Sequence, residues 1–176
     1  AALTTAQVAA LSTLQMASLT TAELVALGTA QIAALNSTQV EALTPEQVAK
    51  MEAADVAALS TAAIRGLGAD AMGVLTTAQV AALTSLQAAA LTSAQLGALT
   101  TADVAAITTA DIKNLSASAL LGLNAEQMGS LTAAQIGALG TAQIAGLAAS
   151  QVAGLSTAAV VALSSTQIGQ LSAAQV

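Results

Sequence analysis

The sequence predicts an all-α fold, namely a solenoid, or superhelix, of very short helices with one helix in each eight-residue repeat. Written from Leu3 to Val176, the chain falls into octads without a single insertion or deletion. Each octad carries the residue pattern that starts a helix. Short units of fixed period are typical of solenoids, in which each unit packs on its neighbours. We therefore treat residues 1–176 as one octapeptide-repeat domain.

Two positions of the octad are predicted to form the core. Position one is Leu except at Met51 and Ile107, and position six is Val, Ile, Leu or Met except at Ala88. A continuous helix would advance about 800° over eight residues, so its Leu row would wind around the helix. A flat strand would send positions one and six to opposite faces. Both alternatives fit less well than a helix that restarts in every octad.

Position two is the predicted N-cap of each helix. It is Thr, Ser, Asn or Gly except at Glu52 and Ala148, and position five is mostly Gln. This spacing is a capping box, and it places positions one and six at the two ends of a hydrophobic staple. The only proline, Pro45, falls at the first helical position, where proline is preferred. Glycine falls only at positions two, seven and eight, which we interpret as caps and chain reversals that tolerate unusual dihedral angles.

The number of octads in one coil is left open by the sequence. Helices this short are unstable alone, so neighbouring coils must hold them in place. With two octads per coil, stacked at helix-packing distance, the array would be about 90–110 Å long. Three octads per coil would shorten it.

Composition argues against several classes of function. The chain has no Cys, His, Trp, Tyr or Phe, and its net charge is −6, with three basic residues. The usual side chains for metal binding and nucleophilic catalysis are therefore missing or scarce, and there is no basic stripe to bind nucleic acid. Polar residues interrupt every run long enough to span a membrane, which needs roughly 18–20 apolar residues. We expect no enzyme activity, no catalytic, metal or cofactor site, no nucleic-acid partner and no membrane insertion.

Three sets of residues are candidates for a function. Acids at position five are either a carboxylate row for cations or, as we prefer, substitutes for Gln in the capping box: Glu23, Asp55, Asp103 and Asp111. A charged stretch is either a partner patch or a solvated face: Glu41, Glu46, Lys50, Glu52, Asp55, Arg65 and Asp70. Paired hydroxyls that stacked coils would align are a candidate lattice for ice or a polymer: Thr76-Thr77, Thr100-Thr101 and Thr108-Thr109. Alanine interrupts position three of that lattice at Ala117, Ala125, Ala133 and Ala149.

The octad L-[ST]-x-A-Q-[VI]-x-A resembles repeats of very large bacterial proteins of the surface or secreted type, described as haem-utilisation or adhesion-like. The resemblance covers the whole chain. It implies an extracellular or cell-surface location and carries over no active-site residue. Residues 43–48 (LTPEQV) also resemble the start of a TAL-effector repeat. That family has longer repeats of two helices and a base-reading loop, which this sequence lacks.

We therefore expect a structural repeat region that acts as a spacer or scaffold in a large bacterial surface or secreted protein. One alternative is a binding module that uses the repeated surface for a polymer, ice or a protein partner. Another is a filament that assembles end to end through apolar coil ends.

Overall fold

A computed structural model describes residues 3–176. Over this range the chain forms 21 short α-helices and no strand. The prediction of an all-α array with one short helix per octad is confirmed. The helices are α1 Thr5–Ala9, α2 Thr13–Ser18, α3 Thr21–Val25, α4 Thr29–Ile32, α5 Ser37–Glu41, α6 Pro45–Lys50, α7 Ala53–Ala58, α8 Thr61–Ile64, α9 Ala69–Gly73, α10 Thr77–Ala81, α11 Ser85–Ala90, α12 Ser93–Ala98, α13 Thr101–Ala106, α14 Thr109–Ile112, α15 Ala117–Leu120, α16 Ala125–Ser130, α17 Ala133–Ala138, α18 Thr141–Ala145, α19 Ala149–Ala153, α20 Thr157–Val161 and α21 Ser165–Ile168.

Each helix begins and ends where the octad pattern requires. Helix α6 is representative, since Pro45 is its first residue and the Thr44 side chain accepts a hydrogen bond from the Gln47 backbone N–H. The next position-one residue, Met51, has φ −59° and ψ 145°, which is extended backbone. The helix therefore stops after six residues, because the chain must extend through positions one and two before the next cap.

The core is a continuous column of position-one and position-six side chains. In the central coils the position-six residues are almost fully buried, as at Val56, Leu96 and Met128, all 0% exposed. Position-one residues such as Leu75 and Leu99 are 4% and 3% exposed. The inward orientation of both positions is thus as predicted. Burial of one such aliphatic side chain contributes about 1.5–3 kcal/mol, so many small contributions replace the missing aromatic core.

Successive coils are related by between three and three and a half octads. Every strong helix–helix contact joins one helix to the third helix after it, from α1 with α4 to α18 with α21. Side-chain bonds between coils connect residues 28 and 31 apart. The structure therefore rules out two octads per coil and is close to the three-octad alternative. With about 28 residues per coil and coils at helix-packing distance, the solenoid is about 50–60 Å long.

Glycine at position eight serves close approach between coils and not unusual dihedral angles. Within residues 3–176 no glycine has a positive φ, so that part of our interpretation is wrong. A Cβ on Gly66 would lie 2.2 Å from the Ser37 carbonyl oxygen, and one on Gly122 would lie 1.9 Å from that of Ser93. The coils meet backbone to backbone at these points, and only glycine leaves enough room.

Candidate functional site: the glutamine seam and its gaps

The side chain at position five makes the most specific contacts of the octad. In α10, Gln79 is 2% exposed. Its backbone N–H donates to Thr76 Oγ1 at 3.3 Å, and its Oε1 accepts from the Thr76 N–H at 2.8 Å, which is the predicted capping box. Its Nε2 also donates to the carbonyl oxygens of Val48 and Met51, both at 2.8 Å. One buried amide thus closes its own helix start and ties it to the preceding coil.

The same bonds recur along the solenoid and form what we call the glutamine seam. In each case Nε2 donates to a position-six carbonyl 31 residues earlier and a position-one carbonyl 28 residues earlier. An unpaired buried carbonyl costs about 1–3 kcal/mol, so the seam stabilises the contact between coils wherever it occurs. The glutamines with both bonds are Gln39, Gln47, Gln79, Gln87, Gln95, Gln127, Gln135, Gln143, Gln151, Gln167 and Gln175.

The seam has two long gaps, each three octads long, and a further break of one octad at Ala159. In the first gap, residues 51–74, position five is held by Asp55, Ala63 and Ala71. In the second gap, residues 99–122, it is held by Asp103, Asp111 and Ala119. Carboxylates and methyl groups have no N–H to donate. Since between three and three and a half octads make one coil, each gap removes the seam from most of a coil.

Only two of the four position-five acids replace Gln in a complete capping box, and the preferred interpretation fails for Asp55, whose helix has no capping box. Glu23 and Asp103 complete capping boxes with Thr20 and Thr100. Asp111 accepts a hydrogen bond from the Thr108 hydroxyl and another, at 2.8 Å, from Ser85 Oγ in the preceding coil. The carboxylates are spread over several octads, and within the described residues no group of three or more His, Cys, Asp or Glu could hold a metal ion.

The protein shifts the pKa values of two of these acids in opposite directions. Hydrogen bonds from the backbone and hydroxyl of Thr20 lower the pKa of the exposed Glu23. Burial, followed by the charge of nearby Glu52, raises the pKa of Asp55 above its ordinary value. Asp55 is 4% exposed, and its N-cap residue, Glu52, makes no side-chain cap bond. Ionised Asp55 is therefore an unfavourable substitute for Gln.

Two surface grooves open at gaps in the seam. The first has a volume of about 240 Å³ and is lined by residues that include Glu41, Leu43, Gly68, Asp70 and Ala71. The second has a volume of about 420 Å³ and is lined by Arg65, Ala89, Leu91, Thr92, Ser93, Ser116, Ser118 and Ala119. Ala71 and Ala119 are both position-five residues. The grooves thus lie where a glutamine side chain is missing.

The structure separates the members of the charged stretch. Glu41 and Asp70 line the first groove together. Arg65 lines the second groove, and its Nε donates to the Ala90 carbonyl oxygen at 2.9 Å. The remaining acids and the lysine of the stretch that lie outside position five are exposed: Glu46, Lys50 and Glu52. The stretch is therefore not a single patch.

The paired hydroxyls divide into two kinds. Position-two hydroxyls are used as caps, as Thr76 and Thr100 show, whereas position three is open at Thr77. However, successive coils are offset by about half an octad, so a position-three residue lies beneath a position-eight residue, as Ser37 lies beneath Gly66. The expected direct stacking of position-three hydroxyls in adjacent coils is therefore wrong at these contacts.

The bonds of the glutamine Nε2 between coils were not predicted from the sequence. The capping box accounts for Oε1 but not for Nε2. The available signal was the strong preference for Gln over Glu at position five, where Glu occurs only at Glu23. Glutamate accepts the same cap bond and suits a helix N-terminus at least as well. Only a required N–H donor explains the preference for the amide.

Comparison with known proteins places the chain in a repeat family. A family profile described as the ALTTAQ repeat matches residues 16–51, 48–85 and 104–141, which together cover more than half of the chain. A search of curated proteins finds no match. Among the described residues, no helix is both long enough and apolar enough to cross a membrane. The octads, their capping boxes and the extent of the match lead to one conclusion: this chain belongs to the ALTTAQ repeat family.

Proposed function

We propose that the chain is a structural repeat region that acts as a spacer or scaffold, without catalysis, in a large bacterial surface or secreted protein. One observation carries the proposal. Inter-coil glutamine bonds begin with Gln31 on the Leu3 carbonyl and end with Gln175 on Ile144 and Leu147. A single core accompanies them. An array with one continuous core, and with seam bonds over most of its length, is suited to keeping two points at a fixed separation.

The decisive experiment measures that separation. The chain has no Cys, so spin labels at T13C and T157C, both at exposed position-three sites, report one distance. We expect a narrow distribution, because the labels are joined through the same packed column. Deletion of residues 51–106, which is seven octads or about two coils, should shorten the labelled distance by about 16–20 Å. A broad distribution, or a distance that ignores the deletion, would contradict the spacer proposal.

A binding module on the repeated surface is the competing function, and one further variant distinguishes it. Scrambling the exposed position-three residues leaves the core, caps and seam intact, and so leaves the distance unchanged. The spacer proposal expects the host protein's function to tolerate the scramble and to respond to the deletion. Loss of function on scrambling alone would favour binding of a polymer, ice or a protein partner.

Self-association of copies is a second candidate, favoured by one feature of the last coil. Position six is exposed at Val160 and Ile168, by 47% and 52%, whereas it is almost fully buried in the central coils. At the other end, Gln7 and Gln15 have capping bonds but no carbonyl partner in another coil among the described residues. The two ends are thus complementary in the way that adjacent coils are.

Sedimentation velocity over a range of concentrations tests this second candidate. End-to-end association predicts a sedimentation coefficient that rises with concentration, and a return to monomer in I168K, which places a charge at the exposed end. Concentration-independent sedimentation of the unmodified chain would exclude the filament and leave the spacer proposal unaffected.

A further inference from the structure

We propose that the groove at Ala71 is a vacated glutamine slot that binds a primary carboxamide, such as a glutamine or asparagine side chain presented by a partner. The slot is defined by comparison with the other octads. There, a position-five amide accepts from the position-two N–H of its own octad and donates to two carbonyls of the preceding coil. With Ala at position five, the N–H and the two carbonyls remain, but the amide that bonds to them is absent.

The groups left at this slot can be identified from the spacing of the seam. For Ala71, the position-two N–H belongs to Gly68, and the carbonyls 31 and 28 residues earlier belong to Val40 and Leu43. Neither the Gly68 N–H nor the Leu43 carbonyl makes a hydrogen bond to another described residue. One N–H donor and two carbonyl acceptors are the complement of a carboxamide, whose oxygen accepts and whose NH2 donates twice.

The space needed for a ligand is present at the same place. Leu43, Gly68 and Ala71 line one groove of about 240 Å³. Gly68 has no side chain, and a Cβ built on it would meet nothing within 4 Å, so the entrance is open on the cap side. The fold itself therefore provides the pattern for the ligand, because an amide occupies the equivalent position in the neighbouring seam octads.

Two carboxylates narrow the choice of ligand. Glu41 and Asp70 line the same groove, so an anionic ligand of the same shape meets like charges. Propionate differs from propionamide in having this charge and in lacking an N–H donor. The groove should therefore discriminate between the amide and the acid on two independent grounds.

Titration of the isotope-labelled chain with propionamide tests the proposal by NMR. We expect saturable shifts of the Gly68 amide and of the Leu43 carbonyl with its following Thr44 amide, with affinity of about millimolar or weaker for so small a ligand. In A71Q the protein's own amide fills the slot, so these shifts should disappear. A119Q is the matched control: it fills the vacated position at the second groove and should leave the shifts at Gly68 and Leu43 unchanged.

A further variant and two further ligands serve as controls for this titration. A71M fills the slot without supplying an amide and should also abolish the response, which covers the case in which A71Q folds poorly. Propionate should give no saturable shift. Three results would overturn the proposal: no saturation by propionamide, the same shifts in A71Q and A71M, or saturation by propylammonium without any response to propionamide. The last would assign the groove to cations.

Discussion

Residues 75–98 and residues 51–74 are adjacent blocks of three octads with the same core and different seams. Position-one residues are buried in both, as at Leu83 and Leu59, which are 6% and 3% exposed. In the later block Gln79, Gln87 and Gln95 all bond to the preceding coil, whereas the earlier block has no glutamine at position five. The core alone is thus enough to form helices and coils. The seam adds hydrogen bonds that fix one coil on the next.

The largest expected effect is one that both blocks share. L83D and L59D each place an unpaired charge in the core, which costs several kcal/mol. We expect both variants to lose helical far-UV circular dichroism around the mutated coil, as should L75D. L86D is the matched control, since Leu86 is 74% exposed in the same part of the chain and should tolerate the charge. An unchanged spectrum in L83D and L59D would contradict the inward orientation of position one.

Removal of one seam glutamine should distinguish the contribution of the seam from that of the core, which both blocks share. Q87A removes the donor for the carbonyls of Val56 and Leu59, together with the back-bond to its cap. We expect a loss of about 1–3 kcal/mol in the free energy of unfolding, measured by urea denaturation. Q15A removes only the capping bond that the exposed Gln15 side chain accepts from the Ser12 N–H, and it should cost less. Equal losses in the two variants would mean that the inter-coil bonds contribute nothing.

The N-caps should produce smaller losses that differ between the blocks. In the seam block, Thr84 Oγ1 accepts from the Gln87 N–H and also bonds to its Oε1. In the gap block, Ser60 Oγ accepts only from the Ala63 N–H. We expect T84A and S60A to cost about 0.5–2 kcal/mol each, with T84A the larger because it also removes the hydroxyl's bond to the seam glutamine Gln87.

The control for thermal melts of the cap variants is T77A. T77A removes an exposed position-three hydroxyl that follows the Thr76 cap, and its effect should stay within about 0.5 kcal/mol. If T84A and S60A melt like T77A, then the capping box does not stabilise the helices and the octad must be explained by core packing alone.

The sequence was sufficient for everything that repeats within one octad. The cap, the staple, the Pro45 position and the burial of positions one and six all depend on residues no more than five apart, so local physical rules apply to them. Coil geometry depends on contacts 28 and 31 residues apart, for which the octad has no marker. For the same reason, the close approach of Gly66 to Ser37 was mistaken for a demand on glycine's dihedral angles.

The smallest effect expected in the comparison of the two blocks concerns Asp55, which lies in the first gap. Because burial raises the pKa of Asp55 in the folded protein, the folded state binds its proton more tightly than the unfolded chain. The contribution of Asp55 to stability is therefore most favourable below its ordinary pKa, and it declines as pH rises through the raised value. A protonated carboxyl also gains an O–H that can donate, as the seam amide does.

The variant D55N should remove this pH dependence. Its matched control is E23Q, because Glu23 is exposed whereas Asp55 is buried. The pKa of Glu23 is lowered, so its contribution is present at neutral pH and is lost as pH falls through the lowered value; E23Q should remove that opposite trend. We expect the difference in melting temperature between D55N and the unmodified chain to be larger at neutral pH than at acidic pH. A difference in melting temperature that is constant with pH, or one that grows on acidification, would contradict this prediction. It would mean that the first gap accommodates the ionised Asp55 carboxylate well, through a contact other than the seam.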